Sequence, residues 1–164
     1  MKYLKDEHMR DADSGEDVHE SAFLLEARLA ELRQHRAEVQ DPKSVAVAGL
    51  FLEEGRLLIR LEKMPEAWDA ARAAFDIYLV HENWQGAIEA CEVMYASDQP
   101  SSLPALGQGI WLSVTFPVDP ELTVAMLEHV VEETPDDSDG AAVAAATAHY
   151  VADLRTEGRR RDDL

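Results

Sequence analysis

Apolar residues along the chain recur mostly at spacings of three and four, the period of a helix with one buried face. Between residues 18 and 39 this pattern predicts an amphipathic helix of about 20 residues. Its apolar positions are Val18, Ala22, Leu25, Leu29, Leu32 and Val39, with Arg36 in the remaining place of the repeat. A heptad-like repeat of this kind is compatible with a coiled-coil homodimer through residues 18–39. Because it lasts for only three heptads, we favour packing on the protein's own core.

Six further segments show the helical period and are separated by turn residues. They begin near Pro42, Pro65, Trp84, Leu103, Pro120 and Ala141. Asp41, Asn83 and Asp119 each precede such a start and are predicted N-caps, because a side-chain oxygen there accepts a hydrogen bond from a free backbone N–H. No strand-like alternation is comparably strong. The sequence therefore predicts an all-α fold, an array of about seven antiparallel helices joined by short turns.

Apolar stripes indicate which side of two of these helices is buried. The stripe of the fourth helix comprises Trp84, Ala87, Ile88, Cys91, Met94 and Tyr95. One side of the last helix carries Val143, Thr147, Tyr150 and Leu154, which we interpret as its apolar side. The fifth helix lies in a run without any charged residue, Ser101 to Val118, which includes Trp111. This run is either the buried centre of the array or a surface for a partner.

Length and composition are those of one globular domain. We expect a flexible acidic tail over residues 1–17, a single helical domain over residues 18–157 and a second flexible tail over residues 158–164. The chain contains no apolar run of 18 residues and shows no secretory signal, so a cytoplasmic location without membrane association is expected.

Charge is distributed unevenly along the 164 residues, which carry a net charge of −18. Residues 73–154 contain no Lys or Arg but 14 Asp or Glu. Such a segment repels nucleic-acid phosphate and anionic lipid and attracts basic partners. The acidity therefore indicates either a basic partner or adaptation to a saline habitat.

Residues 66–100 resemble a tetratricopeptide repeat, a helix-turn-helix unit of 34 residues with small and large residues at set places. The matching residues are Ala71, Ala74, Tyr78, Trp84, Ala87, Cys91 and Pro100. Residues 102–135 repeat the plan more weakly, through Gly109, Leu112 and Pro135. Phe75 departs from the family, which prefers a small residue there. The alternative is a generic helical bundle.

The resemblance implies a protein–protein interaction module whose partner contacts the first helix of each pair. The residues that would face the partner are Asp69, Arg72, Asp76, Leu79, Leu106, Ile110 and Ser113, to which the uncharged run adds Trp111. This mixed set fits a basic or amphipathic partner. An adaptor or a dedicated assembly chaperone is the expected class of protein.

Other chemistry receives less support from the residues. Cys91 lies well inside its helix, without a neighbouring cation to lower its pKa, and is expected to be a core residue. The alternative function is a metal-binding or enzymatic bundle that uses His129, Glu132 and Glu133 together with a second histidine, His81 or His149. A third possibility is an acidic mimic of nucleic acid. We predict no catalytic residue, cofactor or metal ligand for the favoured interpretation.

Overall fold

The computed structural model describes residues 7–135 and 138–162, with side chains described for residues 22–135 and 138–155. Within these residues the chain forms seven α-helices and no strands, which confirms the predicted all-α array. The helices are α1 (Glu7–Glu38), α2 (Val45–Arg60), α3 (Met64–Val80), α4 (Trp84–Ala96), α5 (Ser102–Thr115), α6 (Pro120–Glu133) and α7 (Asp139–Asp162). None of the helices in the described part of the chain combines the length and apolar character needed to cross a bilayer.

The first and last helices extend into both segments for which the sequence predicts flexible tails. The backbone is helical from Glu7, although a tail is expected up to residue 17, and it remains helical to Asp162. Neither extension contains a proline that would end the helix. Residues 1–6 and 163–164 lie outside the described residues, and the flexibility of both tails stays a prediction.

Two of the predicted N-caps are confirmed by side-chain hydrogen bonds. The Asn83 side chain accepts from the backbone N–H of Gly86 over 3.0 Å at the start of α4. The Asp119 carboxylate accepts from the N–H of Glu121 over 3.0 Å at the start of α6. Each cap satisfies one of the four N–H groups that a helix leaves unpaired at its first turn.

The predicted cap of α2 was wrong by three residues. The Asp41 carboxylate accepts from the N–H of Lys43 over 3.0 Å and closes a turn that contains Pro42. Ser44 is the N-cap instead, because its Oγ accepts from the N–H of Val47 over 3.4 Å. A short acidic side chain can close such a turn or cap a helix, and here the serine that follows takes the cap.

Helix α4 lies at the centre of the array. It contacts its chain neighbours α3 and α5 and also the more distant α2 and α6. The main core contains residues of α2–α6, and the buried members from α4 are Ala87, Ile88, Ala90, Cys91, Val93 and Met94. The stripe predicted for this helix is thus buried for Ala87, Ile88, Cys91 and Met94, while Trp84 and Tyr95 lie at its margin.

Glycines mark two close helix crossings in this core. A Cβ added to Gly55 of α2 would lie 3.4 Å from the carbonyl oxygen of Ala67 in α3. A Cβ added to Gly109 of α5 would lie 2.9 Å from Cβ of Cys91 and would clash with the end of the Met126 side chain. The missing side chain at Gly109 lets α5 pack this closely on α4 and α6, whereas at Gly55 the tightest contact of an added Cβ would be Cγ1 of Val93, at 3.0 Å.

Helix α1 packs on the array through its C-terminal half. Leu29 and Leu32 are buried, and Leu29 packs against Leu58 and Ala67. This part of the predicted seam is therefore occupied by the protein's own core, as the shortness of the repeat suggested. Phe23 lies outside this contact and is exposed. A homodimer through residues 18–39 stays a prediction.

Candidate interaction surfaces

The acidic and basic residues predicted on α3 are at the surface. Asp69, Arg72 and Asp76 are all exposed, and Arg72 Nε lies 3.2 Å from Asp76 Oδ1. Because each of these two side chains is more than half exposed, this pair contributes little to stability and leaves both groups accessible.

The apolar and small residues predicted to face the same partner are mostly internal. Leu106 and Ser113 are buried, so they belong to the core and cannot present a side chain to a partner. Leu79 and Ile110 are partly buried and pack against the main core. Leu106 and Ser113 are therefore a correction to the predicted surface, whereas a partner contact by Leu79 and Ile110 stays a prediction. The physical reason is that α5 turns its small residues towards α4, where Gly109 allows the closest approach.

The contacts between helices that are not chain neighbours form one row. Helix α4 contacts α2 and α6, and no comparable contact joins α3 to α5 within the described residues. The row therefore consists of α2, α4 and α6. A partner face on α3 and α5, the first helices of the two repeat-like units, stays a prediction.

Trp111 lies on the outer side of α5 and is 58% exposed. Its ring meets Phe116 edge-on, with centroids 6.1 Å apart, and Phe116 in turn stacks on Trp84 at 3.8 Å. This aromatic contact leaves much of the indole in solvent. Trp111 is thus accessible on the surface of α5.

The rest of the outer side of α5 is exposed and carries no charge. We call this surface the α5 face, and its members besides Trp111 are Leu103, Pro104, Gly107, Gln108, Val114 and Thr115. Leu103 and Val114 are among the exposed large apolar residues of the chain. The uncharged run is core on one side of α5 and open surface on the other, and contact of that open side with a partner stays a prediction.

A groove lies between α6 and α7. Two adjoining cavities of about 430 and 380 Å³ share Val124 and Glu128, so they form one depression. Its apolar floor is formed by Val124, Leu127 and Val131 of α6 and by Ala145 and Ala148 of α7. Glu121, Glu128 and Glu132 line its acidic side. We call this surface the α6/α7 groove, and the sequence pattern did not predict it.

The side of α7 that packs on the array is not the predicted one. The buried residues are Ala141, Ala144 and Ala148, whereas Val143 and Tyr150 are 65% and 63% exposed. Leu154 is also exposed, and Thr147 is intermediate, so the predicted apolar side faces solvent. The alanine side lies on α6, and its small side chains leave the depression above.

Arg155 explains why α7 takes this orientation. Its guanidinium donates to the backbone oxygens of Ser113, Phe116 and Val118 and to Thr123 Oγ1, over 2.8–3.3 Å. These oxygens lie near the end of α5 and in its connection to α6, where helix-end carbonyls lack intrahelical partners. Because Arg155 shares one helix face with the buried alanines, the anchor turns that face inward. Nothing in the sequence pattern predicts this role of Arg155.

The described cations are mostly engaged within α1–α4. Glu54 of α2 is buried and lies 2.6 Å from Arg33 Nε and 3.3 Å from Arg36 Nη2. Arg56 Nη2 lies 2.8 Å from Glu89 of α4. No such cation is present on α4, α5 or α6, so the carboxylates of the α6/α7 groove face solvent without an arginine or lysine nearby on their own helix.

His129 lies in a small polar cluster on the side of α6 next to α4. Its Nδ1 is 3.1 Å from Glu132, and its Nε2 is 4.0 Å from Glu92. Tyr95 donates its hydroxyl to Glu133 over 2.6 Å, and this hydrogen bond raises the pKa of Tyr95 to about 12. The cluster links the ends of α4 and α6.

The proposed second histidine does not join this cluster. His81 is hydrogen-bonded to the Lys43 carbonyl over 2.7 Å, and His149 lies 3.6 Å from Asp153 on α7. Among the described residues, no three His, Cys, Asp or Glu side chains converge in a way that could hold a metal ion. The metal-site alternative from the sequence is therefore not assembled.

Cys91 is completely buried, as its place on the apolar stripe suggested. Burial away from water raises the pKa of its thiol to about 12. A thiol in this state is protonated at neutral pH and is a poor nucleophile.

Comparison with known proteins adds no relative. No family model, curated protein or solved structure matches this chain. The chemistry of its surfaces is therefore the basis for assigning a function.

Proposed function

We propose that the chain is a non-enzymatic protein–protein interaction module, similar to tetratricopeptide adaptors and dedicated assembly chaperones, which binds a basic or amphipathic partner. The observation that carries this proposal is the α5 face, an uncharged and partly apolar surface with Trp111 at its centre, on a chain of net charge −18. Contiguous exposed apolar surface on an otherwise polar protein marks sites of interaction.

The geometry of Trp111 supports an anchoring role. Tryptophan is enriched among the residues that contribute most to binding, because it buries a large rigid surface at a small cost in side-chain entropy. Here the ring is held by Phe116 before any partner arrives. Little further ordering is needed on binding.

The charges around this face indicate the sign of the partner. Residues 73–154, which include all of α4, α5 and α6, contain no Lys or Arg. A partner with a basic surface would be attracted over a distance of about one Debye length, roughly 8–10 Å at physiological salt. An acidic partner, nucleic acid included, would be repelled.

The test is capture of partners by the immobilised full chain at low salt, followed by mass spectrometry and reciprocal capture. Trp111→Ala is compared with Phe23→Ala, which removes a more exposed aromatic ring, 71% against 58%, from α1. We expect one specific partner to bind the wild type and Phe23→Ala, to bind Trp111→Ala at least about tenfold less, and to be released by salt.

Two outcomes contradict this assignment. The chain fails as an interaction module if it retains no more protein than an unrelated chain of equal charge. If the retained proteins are DNA-binding proteins that duplex DNA displaces, the chain is an acidic mimic of nucleic acid instead.

A further inference from the structure

We infer that the α6/α7 groove is the docking site for a basic amphipathic helix of the partner. This inference rests on the proposed function and adds the form of the partner and the place where it binds. The apolar ridge of the incoming helix lies on the floor of the groove, and its Lys or Arg side chains reach the glutamates beside it.

The floor has the dimensions of a helix-binding groove. From Pro120 to Glu132 the helix α6 rises about 18 Å, which matches about three turns of a second helix. Val124 and Val131 are partly accessible along this length, and Leu127 lies buried between them. Apolar residues of the partner at positions i, i+3, i+4 and i+7 would meet this row.

The opposite wall of the groove is low, because α7 contributes alanines. Ala145 and Ala148 fill little of the space beside α6, and the two cavities remain as one open depression. The larger side chains of α7, Val143 and Tyr150, are exposed on its surface and do not line the groove. The depression can therefore receive side chains from another helix.

The acidic residues select the charge of that helix. Glu121 and Glu128 are exposed, and neither has a cationic partner among the described residues. Glu132 also lines the groove, and one of its carboxylate oxygens lies 3.1 Å from His129 Nδ1. Lys or Arg residues that flank an apolar ridge would pair with these carboxylates, whereas acidic residues there would be repelled.

Other occupants fit the observations less well. A peptide that binds by adding a strand to a sheet edge finds no such edge among the described residues. A second copy of the chain would bring a net charge of −18 towards glutamates of the same sign. A basic helix satisfies both the floor and the charge.

The experiment measures binding of a fluorescent peptide of about 18 residues, with leucines at helical spacing and lysines elsewhere, to the full chain by anisotropy. A scrambled peptide of the same composition has no apolar face. Glu128→Lys is matched by Glu38→Lys on α1, and Val131→Glu is matched by Val143→Glu on the exposed side of α7. All four sites are exposed, and circular dichroism checks that each variant is folded.

We expect Glu128→Lys and Val131→Glu each to raise the Kd at least about tenfold, and their matched controls to change it less than about twofold. The groove is not the site if the scrambled peptide binds equally well, or if each variant and its control have equal effects. It is also not the site if the peptide does not bind and Glu128→Lys changes self-association in sedimentation, since a second copy is then the occupant.

Binding of a captured natural partner to the variants distinguishes failure of this inference from failure of the proposed function. If a captured partner is lost by Trp111→Ala but retained by both Val131→Glu and Glu128→Lys, the interaction module stands and the groove inference is overturned. If all three variants lose it while the matched controls retain it, both are supported.

Discussion

Two glycines of α5 provide a matched test of how closely the helices pack. Gly107 is exposed, and a Cβ added there meets nothing within 4 Å. Replacement of a glycine by alanine inside an exposed helix stabilises by about 1 kcal/mol, because alanine loses less backbone entropy on folding. We therefore expect Gly107→Ala to raise the free energy of unfolding by about 1 kcal/mol.

Gly109 lies two residues further along α5 and is buried, so the same substitution should have a different result there. Its added Cβ would lie 2.9 Å from Cβ of Cys91 and against the end of Met126, both buried. Overpacking of a tight core costs about 1–3 kcal/mol. Because the gain in helix propensity is common to both variants, Gly109→Ala should be less stable than Gly107→Ala by about 1–3 kcal/mol.

The assay is urea unfolding followed by circular dichroism, with reversibility checked for each variant. Each 1 kcal/mol corresponds to a shift of the urea midpoint of about 0.3–1 M, because the slope m is about 1–3 kcal/mol/M. The result that would refute the reasoning is an equal stabilisation by both substitutions. It would mean that α4, α5 and α6 leave room for a methyl group at Gly109.

Three further predictions concern single side chains. Arg155→Met should lower the free energy of unfolding by about 2–3 kcal/mol in urea, because the four oxygens that Arg155 binds lose their donor. Arg155→Lys should be nearly as unstable as Arg155→Met in the same assay, because one ammonium group cannot reach four separate oxygens. Glu54→Gln should lower the free energy of unfolding by about 1–3 kcal/mol in the same assay, because Arg33 and Arg36 lose a buried charged partner, although both arginines are partly hydrated. An unchanged free energy of unfolding would show that these two ion pairs contribute nothing to stability. Cys91 should react with a thiol reagent at pH 8 at least about 100-fold more slowly in the native than in the unfolded chain, because burial raises the pKa of the native thiol to about 12. The contribution of this thiol to stability is present below about pH 9 and is lost as the pH rises towards 12, and Cys91→Ala should weaken that pH dependence of the free energy of unfolding.

Local signals in the sequence predicted the elements of this fold well. The N-cap oxygens of Asn83 and Asp119 act within three residues of their own position, so no distant part of the chain is needed to place them. The stripe of α4 was also readable, because this helix is surrounded and its apolar side chains have no alternative environment.

Side chains whose partners are distant were not predictable in this way. Arg155 binds oxygens about 30–40 residues away in sequence, most of them backbone carbonyls that every residue possesses. The orientation of α7 depends on this contact, so the larger apolar residues Val143 and Leu154 gave the wrong side. The α6/α7 groove depends on the same orientation and was missed for the same reason.

The exposure of the candidate partner residues was predicted in part. Asp69, Arg72, Asp76 and Trp111 are exposed where the sequence placed them, because charged residues and an uncharged run are visible without a structure. Leu106 was misplaced, since an apolar residue on a two-sided helix can belong to the core or to a contact surface.

The separation of cations from anions described above makes the molecule electrostatically asymmetric. Five of the seven arginines whose side chains are described are paired with carboxylates within α1–α4, and residues 73–154 are acidic and carry no Lys or Arg. The charge is therefore offset along the array and produces a permanent electric dipole moment. A basic partner that approaches from any side exerts a torque on this dipole before contact, and the two molecules rotate until the acidic helices face the partner. Encounters are therefore pre-oriented, and association should slow as added salt shortens the range of that torque.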